Sequence, residues 1–355
     1  MAREEHSSSF PQTCLERHPY NLEGILKFGV GIPNCREGVF YPMSFAGPKE
    51  IIKLSQLADE LEFYSLWGTD FMTPVPSMNF DGNTKPNWYE LIISLSYLAA
   101  ATKTIKLAAG VVLLPYRDPV ILAKQAATLD QFSNGRFLFG WGLGQFREEF
   151  IAINNRNKTI HRGKLMDEIM ESLHLLLNKD GKISFDGEYI GFKEVEMHPK
   201  PIQEPIPVYI GGHSAAMGRR VAKWATGVSY SATVLDEGIN QRLMELKPEM
   251  DKEGRTLDDL DVVISTYLCL GKDLEDAKAK FSKTYLGQRL LKRIDLDTFV
   301  TKSLFGTPNQ ISDRINQLNQ EGMKHCVLTN VCVDSFSEMM EQIQIFGEEI
   351  LPQFK

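Results

Sequence analysis

Cysteine is scarce in this sequence and follows no metal-binding or disulfide pattern. The 355 residues contain five cysteines, at positions 14, 35, 269, 326 and 332, with no C-x-x-C pair and no zinc spacing. An odd number of scattered cysteines is typical of a protein kept in a reducing compartment. The sequence therefore predicts a cytoplasmic protein with no disulfide framework and no metal site.

Clusters of positive charge and long apolar runs are also lacking. The formal net charge is −7 and no basic run is present, which argues against a broad electrostatic grip on nucleic acid. No apolar run reaches the length of a membrane span, and the polar residues 1–26 lack the apolar core of a signal peptide. We therefore expect neither nucleic acid nor a membrane as a partner. We interpret residues 1–26 as a partly ordered N-terminal arm that precedes a single domain, residues 27–355.

From Lys27 onward, short β-rich runs alternate with amphipathic segments. The eight candidate strands are KFGVG from Lys27, YSLWG from Tyr64, IKLAAGVVLL from Ile105, RFLFGWG from Arg136, VYIGG from Val208, GVSYSA from Gly227, DVVISTYLCL from Asp261 and HCVLTNV from His325. Apolar residues recur at helical spacing between them, as in Leu91, Leu95 and Leu98. Eight strand–helix pairs predict an α/β fold, a TIM (β/α)8 barrel.

Two stretches are additional to the eight strand–helix pairs, and we expect them to lie over the C-terminal mouth of the barrel. Residues 183–197 are predicted to form an inserted hairpin that turns at Asp186-Gly187. Residues 281–306 are predicted to form helical additions before the eighth helix–strand pair.

A barrel places its chemistry at the carboxyl ends of its strands. Asp70 follows the second candidate strand, where it is either a loop anchor or a carboxylate that hydrogen-bonds a cofactor. Gly110, near the end of the third, marks a bulge, a close approach by another group, or simply core packing. The fourth strand ends in Gly140-Trp141-Gly142-Leu143-Gly144-Gln145, which is not a dinucleotide fingerprint because its third glycine falls one residue early. These glycines either let a planar ligand lie against the backbone or form a turn.

The fifth strand ends in Ile210-Gly211-Gly212-His213-Ser214, and a helix follows at once. Free backbone N–H groups and the helix dipole attract a phosphate at such a junction, although Ser214 could be simply an N-cap. Arg162 is either a solvated or ion-paired arginine or a second phosphate clamp, since the planar fork of arginine suits that role.

Taken together, these segments resemble the bacterial luciferase-like superfamily of flavin- and deazaflavin (coenzyme F420)-dependent oxidoreductases and monooxygenases. The similarity covers about residues 27–350, and its most specific block is IKLAAGVVLLPYRDPVILAKQAATLDQFSNGRFLFGWGLGQFREEF, from Ile105 to Phe150. HRGKLMDEI, FDGEY, PKPIQEPIPVYIGGHS and GTPNQISDRI support it. The resemblance implies a TIM-like barrel, usually a homodimer, that holds a reduced flavin across its mouth.

The resemblance also assigns expected roles to individual residues. A non-proline cis peptide at Gly110–Val111 would form a bulge against which the ring rests. The phosphate-binding positions are Arg162 and Gly211, Gly212, His213 and Ser214. Asp70, Gly144 and Gln145 match positions near the ring, with Asp70 and Gln145 as catalytic candidates, and Trp141 joins Trp67 and Phe71 in an aromatic mouth.

Two departures from the family pattern narrow the expected activity. Many relatives follow the strand-two carboxylate with a catalytic histidine, and this position is Phe71 here. The acidic residue that some deazaflavin-dependent dehydrogenases carry at the end of strand four is Gln145. Both argue against an ordinary sugar-phosphate or alcohol dehydrogenase.

We therefore expect a two-component monooxygenase that uses reduced FMN and O2 on a small organic substrate. A separate flavin reductase would supply the reduced FMN, because the chain has no dinucleotide motif of its own. Three alternatives stay open: a hydride-transferring oxidoreductase that uses coenzyme F420, a catalytically silent flavin-binding protein, and a barrel lyase or isomerase outside this superfamily that binds a phosphorylated metabolite at residues 211–214.

Overall fold

Parallel strands surrounded by helices make up the structure, a computed structural model that describes residues 25–78, 85–212, 214–231 and 238–355. The strands are β1 (Lys27–Gly31), β2 (Ser65–Gly68), β3 (Lys106–Ala109), β4 (Val112–Leu113), β5 (Phe137–Gly142), β6 (Ile183–Asp186), β7 (Gly191–Val195), β8 (Val208–Gly211), β9 (Gly227–Ser231), β10 (Asp261–Leu270), β11 (Leu304–Gly306) and β12 (His325–Val331). The helices are α1 (Pro48–Glu60), α2 (Leu91–Ala101), α3 (Pro119–Phe132), α4 (Arg147–Ile153), α5 (Arg162–Asn178), α6 (Ala215–Trp224), α7 (Ile239–Lys252), α8 (Leu274–Lys283), α9 (Tyr285–Leu290), α10 (Leu296–Thr301), α11 (Pro308–Gln320) and α12 (Phe336–Ile345).

Eight of these strands close into a barrel in the order β1, β2, β3, β5, β8, β9, β10, β12, and every neighbouring pair is parallel. The ring closes where Lys27 of β1 lies opposite His325 of β12. This is the TIM barrel that the alternating strands and helices predict. Strand β4 is the second part of the predicted third strand and pairs with β5. Strand β11, which pairs with the end of β10, is not among the predicted strands.

Two apolar layers cover the two faces of the barrel strands, as expected for a parallel sheet that is buried on both sides. Inside the barrel lie Trp67, Ala108, Leu138, Tyr209, Val263 and Val327. The outward side chains pack against helices whose apolar residues recur at the predicted spacing, and Leu91, Leu95 and Leu98 of α2 are fully buried. Helix α3 begins after Asp118, whose carboxylate caps it by accepting from the Val120 and Ile121 amides.

A polar network fills the base of the barrel. The Asp261 carboxylate accepts from Tyr209 Oη (2.8 Å) and Lys27 Nζ (3.1 Å), and His325 Nε2 shares a 2.8 Å hydrogen bond with Ser65 Oγ. Burial alone would raise the pKa of Asp261, but His325, Lys27 and Tyr209 hold it well below its usual range. Burial lowers the pKa of His325, against the attraction of Asp261. The network therefore buries an ionised carboxylate beside a neutral imidazole.

The predicted hairpin is confirmed, although its turn is longer than the sequence suggests. Strands β6 and β7 pair antiparallel, but Asp186 belongs to the β6 ladder, opposite Gly191, so the connection spans residues 187–190. The Glu168 carboxylate accepts from the backbone amides of Glu188, Tyr189 and Ile190. This distant carboxylate holds a four-residue turn in place of the predicted Asp-Gly turn.

The other predicted insertion, residues 281–306, is called the mouth insertion below. It contains α9, α10 and β11, and its apolar residues form one cluster with Cys269 of β10, Ala277 of α8 and Cys332, in which the rings of Phe281 and Phe299 stack 4.8 Å apart. Tyr285 Oη donates to the carbonyl of Gly38, beyond β1 (2.8 Å), and Arg289 donates to that of Met78, beyond β2 (3.1 Å). The insertion therefore covers the β1–β2 side of the barrel mouth, as predicted.

Candidate active site

A bulge interrupts the third barrel strand at the mouth. Strand β3 ends at Ala109, and the chain resumes as β4 at Val112 after a cis peptide bond between Gly110 and Val111. The expected cis bond is thus confirmed at the predicted position. Gly110 N donates to the carbonyl of Gly68 at the end of β2 (2.8 Å). The segment Gly110–Val111, called the bulge below, is therefore fixed to the neighbouring strand.

Glycines of two other strands accommodate the bulge. A Cβ added at Gly142 would lie 2.2 Å from Val111 Cγ2, and one at Gly140 would lie 1.9 Å from the carbonyl oxygen of Ala109. A Cβ at Gly211, at the end of β8, would meet Val111 Cγ1 at an ordinary 3.5 Å. The glycines of β5 are therefore needed to seat the bulge, and the bulge reaches across to the start of the predicted phosphate turn.

Asp70 anchors the loop that follows the bulge. Its buried carboxylate accepts from Leu113 N (2.9 Å) and from Arg117 Nη2, which lies 2.9 Å from both oxygens. The other terminal nitrogen of Arg117 pairs with Glu90 (2.8 Å). Burial raises the pKa of Asp70, and Arg117 opposes the shift. These contacts are those of a loop anchor; a direct bond from Asp70 to a cofactor stays a prediction.

Arg162 and the end of β5 meet at one side of the mouth. Arg162 is the first residue of α5, and its Nη1 donates to the carbonyl of Gly144 (3.0 Å). Gly144 has a φ of +85°, and a Cβ there would lie 2.8 Å from Tyr116 Oη. Gln145 follows with an exposed side chain. The structure thus brings Arg162 next to Gly144. The expected roles, Arg162 at the phosphate and Gly144 and Gln145 near the ring, stay predictions.

The predicted phosphate turn leads directly into α6. Gly212 has a φ of +124°, and Ser214 caps the helix by accepting from Met217 N (3.3 Å). The first turn of a helix leaves backbone N–H groups without acceptors inside the helix. His213, the remaining predicted residue of this turn, lies outside the described residues.

Helices α5 and α6 are tied together close to these two positions. Arg220 of α6 donates to the carbonyl of Gly163 (3.0 Å), the residue that follows Arg162. Arg162 begins α5, and Gly211 and Gly212 lead into α6, so the two predicted phosphate-binding positions lie at the starts of adjacent helices.

Comparison with known proteins places the chain in a family. The sequence model described as luciferase-like monooxygenase matches residues 26–325. The chain belongs to this family. Its relatives include monooxygenases and dehydrogenases, and the protein is accordingly an oxidoreductase enzyme.

Two curated relatives show how broad this luciferase-like family is. An FMNH2-dependent dimethylsulfone monooxygenase from Pseudomonas putida is 26% identical over 333 residues, covering 84% of this chain and 86% of that protein. An F420-dependent glucose-6-phosphate dehydrogenase from Microbacterium testaceum is 24% identical over 328 residues, covering 87% of this chain and 94% of that protein.

Solved structures of similar fold also include both a monooxygenase and an F420-dependent dehydrogenase. A monooxygenase from Streptomyces bottropensis superimposes with a TM-score of 0.76 at 21% identity, covering 93% of this chain and all (100%) of the other. An F420-dependent secondary alcohol dehydrogenase, in complex with an F420–acetone adduct, gives 0.74 at 16% identity, with 93% and 99% covered. At such identities the likeness supports the luciferase-like fold alone.

The aromatic residues predicted for the mouth of this luciferase-like barrel occupy three different places. Trp141 packs outside the barrel, where its ring lies edge-on to Phe139 (5.6 Å); a contact of Trp141 with the cofactor stays a prediction. Trp67 lies inside the barrel, and its Nε1 donates to Ser65 Oγ. Only Phe71 stands at the rim, next to Trp88 (5.3 Å between ring centroids). Side-chain alternation along β5 explains Trp141, since Leu138 of the same strand faces inward.

Trp67 forms the floor below the bulge. A Cβ added at Gly110 would lie 2.6 Å from Trp67 Cε3. A glycine at this position therefore lets the backbone rest directly on the indole.

Two charged residues of the mouth were not predicted from the sequence. Arg117 completes the Asp70 anchor, and Arg36 lies buried in the loop after β1. Both follow the end of a barrel strand by a few residues, and this position is the signal that would have found them.

Two other potentially reactive side chains near the mouth, Glu149 and Cys35, are held by hydrogen bonds or by burial. Burial raises the pKa of Glu149, whose Oε1 accepts from Met72 N (2.6 Å) and Thr73 N (3.3 Å). Burial raises the pKa of the Cys35 thiol to about 12, so it is not a thiolate at neutral pH. In the described ranges no cluster of histidine, cysteine and acidic side chains is placed to hold a metal, and no helix there is long and apolar enough to cross a membrane.

Proposed function

We propose that this protein is the oxygenating component of a two-component monooxygenase, which binds reduced FMN at the barrel mouth and acts on a small organic substrate. The observation that carries the proposal is the proximity of Val111 of the bulge to Gly211 at the start of the phosphate turn, where an added Cβ would lie 3.5 Å from Val111 Cγ1. Because of this proximity, a surface suited to the planar ring of a flavin lies beside a turn suited to its phosphate. The FMNH2-dependent relative from Pseudomonas putida supports the same assignment.

The residues present fit such a group. The bulge offers a face without long side chains, since Gly110 lies on it and Gly211 beside it. Arg162 and the first amides of α6 would hold the phosphate, because arginine and helix N-termini both bind phosphate oxygens. Asp70 would keep the bulge and the loop after it in place through Leu113 N.

The remaining task of the protein is to exclude water. Bound reduced FMN supplies the two electrons with which O2 is activated for transfer of one oxygen atom to the substrate. Phe71, Trp88 and Phe146 form an aromatic rim, with ring centroids 5.3 Å apart for Phe71–Trp88 and 6.4 Å for Phe71–Phe146. Together with the mouth insertion, this rim would shield the chemistry.

A separate flavin reductase would deliver the reduced FMN. The sequence carries no dinucleotide fingerprint, since the glycines of Gly140–Gly144 have the wrong spacing and two of them seat the bulge.

Hydride transfer with coenzyme F420 is the second candidate, and the F420-dependent relatives support it. It requires a group that exchanges a proton with the substrate. Asp70 and Glu149 are bound to loop amides, and Phe71 and Gln145 replace the family's histidine and acid. These features favour the monooxygenase.

A fluorescence titration of the purified protein with FMN and with coenzyme F420, each oxidised and reduced, tests the proposal. We expect reduced FMN to bind most tightly and the complex to consume O2. Selective binding of F420 would support the second candidate, and binding of FMN without O2 consumption would indicate a silent flavin-binding protein. Binding of neither cofactor would refute both flavin-dependent functions.

We also propose a homodimer, with a second copy of the chain on α2 and α3. Two apolar side chains of α2 and two of α3 are exposed on these neighbouring helices: Ile93, Tyr97, Ile121 and Phe132. Phe132 is 75% exposed and Ile93 is 65% exposed. An exposed apolar patch on adjacent helices marks a protein–protein contact.

A further inference from the structure

Arg36 lies at the top of the barrel interior, on the side of the mouth that β1, β2 and β12 form. Its Nη2 donates to Thr69 Oγ1 (2.7 Å), one residue beyond β2, and its Nη1 donates to Asn330 Oδ1, near the end of β12. Thr69 continues the inward-facing series of Ser65 and Trp67. The guanidinium is therefore placed above the Trp67 floor.

The charge of Arg36 is buried, has no counter-ion among the described residues, and lies over the ring of Phe40, 5.1 Å from its centroid. The residue is 4% exposed, and no described carboxylate pairs with it. The adjacent acid, Glu37, instead accepts from Asn87 N (3.0 Å). Burial lowers the pKa of Arg36. Nε is buried and has no hydrogen-bond partner among the described residues. Burying an unpaired cation is costly, so this arrangement needs an explanation.

Two other buried arginines show how such a charge is accommodated elsewhere in the described residues. Arg136 has no carboxylate partner, but all three of its nitrogens donate, to Ser133 O, Thr102 Oγ1, Ile105 O, Ala99 O and Thr102 O. Arg117 leaves its Nε without a partner, as Arg36 does, but its terminal nitrogens pair with the carboxylates of Asp70 and Glu90. Of these three arginines, only Arg36 combines an unpartnered Nε with the lack of a paired carboxylate.

The position of Arg36 relative to the bulge indicates what kind of molecule its unpartnered Nε binds. Arg36 contacts Thr69, directly after β2, and Asn330 of β12. The bulge is fixed to the end of the same strand β2, because Gly110 N donates to Gly68 O and Gly110 lies on Trp67. A small molecule held at one end by Arg36 would therefore meet the adjacent bulge with its other end.

We propose that Arg36 is a substrate-recognition residue that binds an oxyanion, so that the substrate is a small organic acid with a carboxylate or a sulfonate group. The planar guanidinium binds two oxygens of either group side by side. The inference rests on the proposed function, since the far end of the substrate is to meet the bound flavin. Anion binding itself can be measured without flavin.

The test is calorimetric titration of the flavin-free protein, at fixed ionic strength, with propanoate, with methanesulfonate and with the neutral dimethyl sulfone. We expect at least one anion to bind at least about tenfold more tightly than the sulfone, as for a charge-assisted hydrogen bond. Arg36→Gln should lose this preference and Arg36→Lys should keep part of it. Arg314→Gln, on the outer helix α11, should match the parent protein and is the control.

A second variant keeps the test valid if Arg36 variants do not fold. Asn330→Asp places a carboxylate beside the guanidinium at nearly constant volume. It should raise the melting temperature and weaken binding of the preferred anion at least about tenfold, because it supplies an internal counter-ion.

Three results would overturn the assignment. They are equal binding of sulfone and anions by the parent protein, unchanged anion binding in Asn330→Asp or Arg36→Gln, and a loss of FMN affinity in Arg36→Gln without any effect on anions. The last result would assign Arg36 to the cofactor. A failure of the parent protein to bind FMN would instead refute the proposed function and leave the anion measurement intact.

Discussion

Val111 occupies the space that a side chain at Gly142 would need: an added Cβ would lie 2.2 Å from Val111 Cγ2. This relationship explains two features of the sequence at once, a β-branched residue in the bulge and a glycine on the neighbouring strand. It also shows that a glycine at a strand end can serve a protein side chain and need not mark a ligand.

Gly142→Ala should therefore disturb the bulge. We expect a loss of about 1–3 kcal/mol in the free energy of unfolding, as for overpacking of a core, together with weaker FMN binding. Urea unfolding and flavin titration measure the two effects. Adding Val111→Ala should recover part of the stability, while Gly218→Ala in α6, where a Cβ meets Leu246 at an ordinary 3.5 Å, is the control. Equal stability of Gly142→Ala and the parent protein would contradict the packing argument.

Arg162→Ala should weaken FMN binding by about 1.5–3 kcal/mol, the scale of a hydrogen bond to a charged group. Its guanidinium already lies at the mouth through Gly144 O (3.0 Å). Fluorescence titration gives the affinity, and riboflavin, which lacks the phosphate, should show no difference between the two proteins. A bulky residue at Gly212, where φ is +124°, should also reduce affinity. Unchanged FMN affinity in Arg162→Ala would remove this arginine from the site.

Asp70 and Arg117 should behave as a coupled pair. Asp70→Ala leaves Arg117 buried beside Glu90 alone, and we expect a loss of about 3–5 kcal/mol in stability. Arg117→Met should also destabilise, and the double variant should lose less than the two single losses added together. Chemical denaturation of the four proteins gives the coupling energy. A coupling near zero would mean that the 2.9 Å contacts contribute little.

The buried imidazole of His325 should make the protein less stable as the pH falls below about 6.5, the ordinary pKa of histidine. Burial lowers the pKa of His325 in the folded state, so in this range only the unfolded chain takes up the proton. The unfolding free energy then falls with decreasing pH, by up to about 1.4 kcal/mol per unit for this group. The loss continues until the pH reaches the folded-state pKa.

Urea unfolding between pH 5.5 and 7.5 tests the sign. His325→Gln should reduce the slope without abolishing it, because burial also lowers the pKa of His174. The depressed pKa of Asp261 acts only at more acidic pH, below the ordinary pKa of aspartate. The exposed His198 supplies the matched control as His198→Gln. Identical slopes in His325→Gln and the parent protein would refute the interpretation.

Charge on the exposed face of α2 and α3 should prevent dimerisation. We expect the parent protein to run as a dimer, and Ile93→Glu and Phe132→Glu to shift it to monomers, because a carboxylate would have to be buried unpaired. Light scattering after size-exclusion chromatography measures the mass. Met244→Glu on α7, a position 60% exposed, is the control. A monomeric parent protein would refute this interface.

The fold was predictable because it depends on repeated local patterns. The eight barrel strands lie where these patterns place them, and the cis bond at Gly110–Val111 lies where the family resemblance implies it. The short strand β11 was missed because three residues are too few to show a pattern. The hairpin turn was misjudged because Glu168, about twenty residues upstream, determines it.

The candidate site was less predictable, because side-chain direction and distant partners decide it. Trp141 and Gly142 are neighbours in the sequence, yet the first faces the helices and the second faces the bulge. For Asp70 the sequence left a loop anchor and a cofactor-binding carboxylate open, and only the folded chain shows its pairing with Arg117. Arg36 carries no motif, and only the absence of a counter-ion in the folded chain makes it conspicuous.

The mouth insertion packs around the stacked rings of Phe281 and Phe299 in one cluster with Cys269 of β10 and Cys332 after β12. It is also tied to the barrel by β11, which pairs with β10, and by hydrogen bonds such as that from Tyr285 to Gly38. The core of the insertion is therefore shared with the barrel, and a change in that core is felt at the ends of β10 and β12. Variation that leaves folding intact is confined to the exposed residues of this cover.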